Sequence, residues 1–214
     1  MWKLIRYCPF FFSLLALMLV VGIGICLEIS KLNSFIFLNF YHCDWLDYFF
    51  SYYTLLGDGL FSILVIVVVY FWKERRLALI LLIAFLSSGI ISQLIKRLIN
   101  DPRPCLYFEQ ISFQYPYLIK GISKLSYGSF PSGHTATIFA MLIIFVLYFG
   151  QKRISLLFLL LAVLVGYSRI YLSHHFLQDV VAGAVIGSIS GLLSYYFCSM
   201  AGSKNGEEQM GSNI

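Results

Sequence analysis

Two basic side chains at the end of a long apolar run are placed in a way that suits the binding of an anion. The segment Lys96–Pro104 carries Lys96 and, seven positions later, Arg103, which stands between Pro102 and Pro104. Proline fixes its own φ angle and restricts the residue before it, so these prolines end a helix and hold Arg103 in an extended turn. Two cations joined by a stiff turn can grip one polyanion from two sides. A basic patch that only contacts lipid phosphates would have the same composition.

A second short motif, Phe130–His134, has the composition of a helix N-terminus that accepts an anion. Pro131 suits the first turn of a helix, and Ser132 and Gly133 follow it. The backbone N–H groups and the positive end of the helix dipole point toward such a ligand, and glycine lets it approach closely. His134 falls in the same first turn, where it can give a proton to an atom that leaves the anion. Ordinary helix capping would use similar residues.

A third group combines a cation, two adjacent histidines and a carboxylate in the segment Ser168–Asp179. His175 and Asp179 are four residues apart, so they share one face of a helix. A carboxylate that accepts from one imidazole nitrogen fixes the tautomer and makes the other nitrogen a better nucleophile or base. Arg169 precedes this pair. His174 is expected to face elsewhere, and we do not include it in the catalytic set.

The elements that must position these groups are membrane-spanning helices. The chain is 60% hydrophobic and 12% charged, with a mean hydropathy of +0.84, whereas a soluble domain is roughly 45–50% apolar and 25% charged. The net charge of +5 comes in short clusters between apolar runs, which argues against a nucleic-acid partner. A span needs about 20 apolar residues. Six runs meet or approach that length: Phe10–Leu27, Leu55–Trp72, Leu77–Ile95, Ser132–Phe149, Ile154–Leu172 and Val180–Met200.

The sequence therefore predicts an all-α, polytopic membrane protein, a bundle of six transmembrane helices. Asn33–Tyr53 is rich in aromatic residues and predicts an interfacial helix between the first two spans. Residues 1–200 are expected to form one membrane-embedded domain, and residues 201–214 a flexible cytoplasmic tail. The five cysteines are an odd number and show no metal-type spacing. Whether Cys43 and Cys105 form a disulfide stays open.

Alternation of six spans places all three motifs at one face of the membrane. The short basic connections, Lys3/Arg6, Lys73–Arg76 and Lys152/Arg153, fall on the opposite side, which the positive-inside rule makes cytoplasmic together with both termini. The motif face then contributes three cations, a helix N-terminus, two histidines and a carboxylate. Such a set predicts a phosphate-binding site with an acid and a nucleophile.

The chain resembles the type 2 phosphatidic acid phosphatase superfamily, also called the lipid phosphate phosphatases. The resemblance extends from Leu77 to about Met200 and rests on three ordered motifs with every spacing kept: Lys96-x6-Arg103-Pro104, Pro131-Ser132-Gly133-His134 and Ser168-Arg169-x5-His175-x3-Asp179. It implies that His175 attacks phosphorus to form a phosphohistidine, that Asp179 supports His175, and that His134 protonates the leaving oxygen. It further implies no metal or other cofactor, and phosphoryl oxygens bound by Lys96, Arg103, Ser132, Gly133 and Arg169.

Two other functions compete with a lipid phosphatase. A vanadium-dependent haloperoxidase has a similar oxyanion site, but such enzymes are largely soluble. A lipid transporter or scramblase would bind headgroups without hydrolysis, yet the chain shows neither repeats nor charges at mid-span.

Among phosphatase substrates, undecaprenyl pyrophosphate, phosphatidylglycerol phosphate, phosphatidic acid and lipid A phosphates stay open. A small chain, a compact outer loop and the lack of an N-glycosylation sequon favour a bacterial inner-membrane enzyme with its site facing the periplasm. No obligatory protein partner is evident. The aromatic loop Leu106–Ser129, with Lys120 and Lys124, is expected to lie over the site and influence headgroup choice.

Overall fold

The structure is a computed structural model that describes residues 8–119 and 126–211, with side chains as far as Met200. Lys120 and Lys124, like Lys3 and Arg6, lie outside the described residues. Secondary structure within the described ranges is helical except for one isolated bridge between Pro102 and Tyr127. The helices in chain order are α1 (Pro9–Glu28), α2 (Lys31–Asn39), α3 (Asp44–Tyr53), α4 (Gly59–Phe71), α5 (Arg75–Ile99), α6 (Pro104–Gln110), α7 (Gly133–Phe149), α8 (Lys152–Tyr171) and α9 (Leu177–Gly211). The all-α membrane fold is thus confirmed.

The predicted number of six spans is not confirmed by the lengths of the described helices. Four helices are long and apolar enough to cross a bilayer, namely α1, α5, α8 and the part of α9 up to Met200. A fifth candidate is the pair Asp44–Gly57 and Gly59–Phe71, which is bent by 54°. Helix α7 is apolar but only 17 residues long. Each predicted apolar run therefore contains a helix, while length and composition of the described residues support four or five full spans.

The region between the first and second apolar runs was predicted as one interfacial helix, and this is wrong in detail. It forms two helices, α2 and α3, separated at residues 40–43. A 3-10 turn, Thr54–Gly57, then joins α3 to α4, and Asp58 caps α4 by accepting from the backbone N–H of Leu60 at 2.8 Å. The bend arises because the 3-10 turn and the extended backbone of Asp58 interrupt the α-helical hydrogen bonds.

Helix α7 occupies the centre of the bundle and packs against α5, α8 and α9. Three glycines four residues apart on α9 allow its closest contact. A Cβ built at Gly183 would lie only 2.5 Å from the backbone oxygen of Ser132, the N-cap of α7, and one at Gly187 or Gly191 only 2.2 or 2.6 Å from a backbone oxygen within α7. Small residues at this spacing let two membrane helices approach until their backbones touch. This contact brings the start of α9, with Asp179, to the N-terminus of α7.

Local sequence signals end the helices that carry the motifs. Asn100 follows α5 in the left-handed conformation, with φ of 48°, and its N–H donates to the carbonyl of Lys96. Asparagine tolerates that conformation, and the prolines that follow prevent the helix from continuing.

Helix α9 runs to Gly211, so its backbone is helical in part of the segment 201–214, whose flexibility stays a prediction. All five cysteines are free thiols, which excludes a disulfide between Cys43 and Cys105 in this structure.

Candidate active site

A buried pair of His175 and Asp179 forms the innermost part of the site. The Nδ1 atom of His175 lies 3.4 Å from Oδ2 of Asp179, and the two side chains are 2% and 0% exposed. Burial, followed by the charges of Arg169, Arg103 and Lys96, lowers the pKa of His175 well below its ordinary value of 6.5. The imidazole is therefore neutral at physiological pH. A neutral imidazole with a carboxylate at Nδ1 presents Nε2 as its nucleophilic atom.

Three donors converge on the same oxygen of Asp179. In addition to His175, the hydroxyl of Ser129 donates to Oδ2 at 2.5 Å and the backbone N–H of Phe176 donates at 2.9 Å. Sequence reasoning missed Ser129, because a serine in a loop gives no pattern that would connect it with a carboxylate 50 residues away. Hydrogen bonds to the charged form of a buried carboxylate offset part of the cost of burying that charge.

Arg169 is buried at the end of α8 and is held by two side chains. Its Nη1 donates to Oγ1 of Thr54 at 2.6 Å, and its Nη2 lies 2.5 Å from Nδ1 of His174. The expectation that His174 faces away from the site is therefore wrong. Its carbonyl oxygen also accepts from Nη1 of Arg103 at 3.3 Å. His174 thus links two of the three predicted phosphate-binding cations.

The third cation, Lys96, reaches the loop that precedes α7. Its Nζ donates to the carbonyl oxygen of Gly128 at 3.1 Å. In the part of the chain that the structure describes, the buried Nε atoms of Arg103 and Arg169 have no hydrogen-bond partner. A buried guanidinium N–H without a partner is costly, so these donors suit an anionic ligand. The three cations, predicted from separate motifs, therefore gather around one place.

The N-terminus of α7 is held against the start of α9. The backbone N–H of Ser132 donates to the carbonyl oxygen of Asp179 at 2.9 Å. The Ser132 hydroxyl caps α7 by accepting from Thr135, from its hydroxyl at 2.8 Å and its N–H at 3.4 Å. Its own O–H stays available as a donor. A Cβ built at Gly133 meets no atom within 4 Å in the described residues, so there is room beside this backbone N–H.

His134 stands in the first turn of α7 and is more accessible than His175. Its Nε2 lies 3.7 Å from Oδ2 of Asp58, with side-chain exposures of 28% and 36% for the two residues. The distance is that of an ion pair and is too long for a hydrogen bond. The sequence did not assign a role to Asp58. The structure therefore supplies each of the two predicted catalytic histidines with a carboxylate neighbour.

The described part of the aromatic segment Leu106–Ser129, which begins within α6, packs beside this site. Phe108 and Tyr115 form a buried cluster with Phe35 and Phe176, and Phe176 directly follows His175. Lys31 stands over the Phe176 ring at 4.3 Å and pairs with Asp101 at 3.5 Å. These contacts place the described part of the loop against the site, whereas its influence on headgroup choice stays a prediction.

Comparison with known proteins agrees with this geometry. A Lipid A 4'-phosphatase of Bacteroides thetaiotaomicron is 31% identical over 170 residues, which cover 75% of this chain and 73% of that protein. The crystal structure of Aquifex aeolicus LpxE matches with a TM-score of 0.67 and 28% identity, over 77% of this chain and 94% of that one. A transmembrane PAP2 type phosphatidylglycerolphosphate phosphatase from Bacillus subtilis shares the fold, with a TM-score of 0.67 at 23% identity over 94% and 98% of the two chains.

The family model of the PAP2 superfamily matches residues 77–203, which is more than half of the chain and contains all three motifs. The relatives with phosphatase names and the apolar helices agree with a phosphate-ester hydrolase that crosses the membrane several times. This chain belongs to the PAP2 superfamily.

Proposed function

We propose that the protein removes a phosphate group from a membrane lipid through a phosphohistidine intermediate on His175. The observation that carries this proposal is the buried His175–Asp179 pair, which faces the basic groups Arg169, Arg103 and Lys96. A neutral imidazole held by a carboxylate is a nucleophile, and the surrounding cations stabilise the charge that develops on a phosphoryl group.

In the first step, Nε2 of His175 attacks phosphorus while the bond from phosphorus to the lipid oxygen breaks. The leaving oxygen takes a proton from His134, which therefore enters the step as an imidazolium and leaves it neutral. The positive charge that forms on the His175 ring is balanced by Asp179. The cations and the Gly133 N–H hold the phosphoryl oxygens, and the Ser132 hydroxyl donates to one of them.

In the second step, water attacks the phosphorus of the phosphohistidine from the side that the lipid has left. His134 takes the proton of that water, and the P–N bond breaks with its electron pair returning to Nε2 of His175. Inorganic phosphate is the product, and both histidines regain their starting protonation states. His134 therefore acts as the acid in the first half-reaction and as the base in the second.

The substrate proposed is a phosphomonoester or pyrophosphate of a membrane lipid. Lipid A phosphates come first because the Bacteroides relative is a Lipid A 4'-phosphatase, and undecaprenyl pyrophosphate, phosphatidylglycerol phosphate and phosphatidic acid follow. Phosphate release by the purified protein across these four lipids ranks them. The matched control is His175→Ala, which should release phosphate from none of them. Turnover of a lipid by His175→Ala would refute the proposed nucleophile.

No metal ion is assigned to this mechanism, because protein cations and a helix N-terminus supply the positive charge. A chelator should leave the rate nearly unchanged, whereas vanadate, which adopts a trigonal bipyramidal shape like the transition state, should inhibit. A strict requirement for added magnesium would contradict the proposal.

The proposed location is the bacterial inner membrane, with the site facing the periplasm and both termini in the cytoplasm. Residues 1–200 act as one domain in this proposal, and residues 201–214 as a tail. The proposed orientation in the membrane is supported by the basic connections opposite the site. In a background without native cysteines, a cysteine at Gln114 should react with an impermeant thiol reagent in intact cells, and one at Gln151 should not. The reverse pattern would place the site in the cytoplasm.

The roles of the two histidines are separated by the leaving group. A lipid alkoxide needs a proton in order to leave, so His134→Ala should lose roughly 10²–10⁴-fold in activity on a lipid substrate. Nitrophenolate leaves without a proton, so the same variant should still transfer phosphate from nitrophenyl phosphate to His175. Rapid mixing, with measurement of nitrophenol and of acid-labile protein phosphate, tests both statements. Formation of that phosphate by His175→Ala but not by His134→Ala would reverse the roles.

A further inference from the structure

The turn between α3 and α4 contacts two residues of the proposed site. It contains Thr54, whose hydroxyl accepts from buried Arg169 at 2.6 Å, and Asp58, whose carboxylate lies 3.7 Å from His134. Both lie before residue 77, where the match to the superfamily model begins. The N-terminal third of the chain therefore reaches into a site whose sequence motifs all belong to the later part.

Gly57 lets this turn approach His134 closely. A Cβ built at Gly57 would lie 2.9 Å from the His134 carbonyl oxygen, 3.1 Å from its Cβ and 2.8 Å from a methyl group of Val165. Two of these contacts are closer than real Cβ atoms are found, so a larger residue would push the turn, and Asp58 with it, away from α7. The position of Asp58 is thus built into the packing of the bundle.

The charged groups around His134 come from several elements. Basic neighbours are Lys96 on α5, Arg169 on α8, and His174 and His175 in the α8–α9 connection. Within the described residues, Asp58 is the one carboxylate that lies within ion-pair distance of His134, at 3.7 Å. A nearby negative charge favours the protonated imidazolium, whereas burial and nearby positive charges oppose it. Asp58 is therefore placed to offset the effect that the phosphate-binding cations have on the acid.

We propose that Asp58 is a positioning residue that stabilises the protonated form of His134 and orients it for donation to the leaving oxygen. This inference rests on the proposed function, because it requires His134 to act as the acid. In the first step Asp58 stabilises the imidazolium that loses its proton. In the second step it stabilises the imidazolium that forms again when water is deprotonated. Asp58 touches no reacting atom in either step.

Asp58→Asn is the informative variant because it separates charge from structure. Asparagine is as good a helix N-cap as aspartate, so the start of α4 should keep its cap. The matched control is Asp44→Asn, which removes an exposed carboxylate from the first turn of α3. Wild type, both variants, His134→Ala and the double variant with Asp58→Asn are assayed in detergent micelles. The substrates are 4-nitrophenyl phosphate and the lipid of the four-lipid panel that wild type hydrolyses fastest.

We expect Asp58→Asn to lose at least about tenfold in kcat/KM on the lipid and less than about threefold on 4-nitrophenyl phosphate. The alkaline limb of its pH profile on the lipid should move by about one pH unit toward lower pH, because the carboxylate no longer favours the protonated acid. Asp58→Asn should cause no further loss in the His134→Ala background. Asp44→Asn should match wild type on both substrates.

Equal losses on the two substrates, or an unmoved alkaline limb, would overturn the role of Asp58 and leave it as a structural cap. Full lipid activity of Asp58→Asn would overturn it as well. Failure of the underlying mechanism gives a different result, since His134→Ala would then lose equally in kcat/KM for the lipid and for 4-nitrophenyl phosphate.

Discussion

Gly133→Ala is expected to remove activity without disturbing the fold. A Cβ at this position meets no atom within 4 Å in the described residues, and Gly133 is not in a left-handed conformation, so alanine fits without strain. The methyl group would occupy the room beside the backbone N–H that we assign to a phosphoryl oxygen. Loss of one such donor costs roughly 10²–10³-fold in rate, or about 2.7–4 kcal/mol of transition-state stabilisation. Stability should stay equal or rise by up to about 1 kcal/mol, because alanine favours helix.

Two other glycines provide opposite controls for this experiment. A Cβ at Gly187 would lie 2.2 Å from the Ala136 oxygen and 2.9 Å from Cβ of Phe139, so Gly187→Ala must push α9 away from α7. Overpacking of this kind costs typically 1–3 kcal/mol. A Cβ at Gly24 on α1 meets nothing within 4 Å in the described residues, and Gly24→Ala should leave both stability and activity unchanged.

The assay is thermal unfolding of the detergent-solubilised protein, together with kcat/KM on the lipid that wild type hydrolyses fastest. Gly133→Ala should keep the wild-type midpoint and lose at least about 10²-fold in kcat/KM. Gly187→Ala should lower the midpoint. Wild-type kcat/KM in Gly133→Ala would show that the phosphoryl group does not approach this N–H. A lowered midpoint in Gly133→Ala would show instead that the glycine serves packing.

Three further predictions concern individual side chains. Ser129→Ala removes a donor to the buried carboxylate of Asp179 and should lower the free energy of unfolding by about 1.5–3 kcal/mol, measured by denaturant unfolding in micelles. An unchanged free energy of unfolding would contradict the importance of this hydrogen bond. Arg103→Lys keeps the charge but loses the planar fork, so kcat/KM should fall at least about tenfold (about 1.4 kcal/mol), whereas exposed Arg97→Lys should be nearly silent; equal effects would indicate only a basic patch. Burial and neighbouring cations lower the pKa of His175 below its ordinary value of 6.5, so protonation should inactivate His175 only below about pH 6.5. The pH profile of nitrophenol release by His134→Ala should therefore have its acid limb below about pH 6.5. An acid limb above that pH would contradict a neutral His175.

Most of the fold followed from apolar runs, since a run of about 20 apolar residues has few alternatives to a membrane helix. The prediction was wrong in detail between the first two runs, where α2, α3 and the 3-10 turn replace one interfacial helix. The prediction treated Asn33–Tyr53 as one amphipathic segment and continued the second run through Gly57-Asp58-Gly59, so it missed the break at residues 40–43 and the bend at Asp58. The bend is nevertheless what brings Asp58 to His134.

His174 shows why adjacent residues in a motif can be misjudged. It precedes His175, and on a regular helix the two side chains would point in different directions. The connection after α8 is not a regular helix, because Ser173 adopts a left-handed conformation with φ of 56°. His174 can therefore contact Arg169 while His175 contacts Asp179. The four-residue spacing of His175 and Asp179 predicted a contact that the structure contains, although His175 lies before the first residue of α9 and not on the helix itself.

The sequence by itself determined the helical membrane fold, the family and the gathering of three cations, two histidines and a carboxylate. These depend on local signals, namely hydrophobic length, helix-ending residues and fixed motif spacings, which short segments carry independently of the rest of the chain. Only the tertiary structure decided which side chains support that set: Ser129 at Asp179, Thr54 and His174 at Arg169, and Asp58 at His134. Such pairs join segments up to 115 residues apart. Their contact depends on how closely helices such as α7 and α9 pack, and no local pattern records that distance.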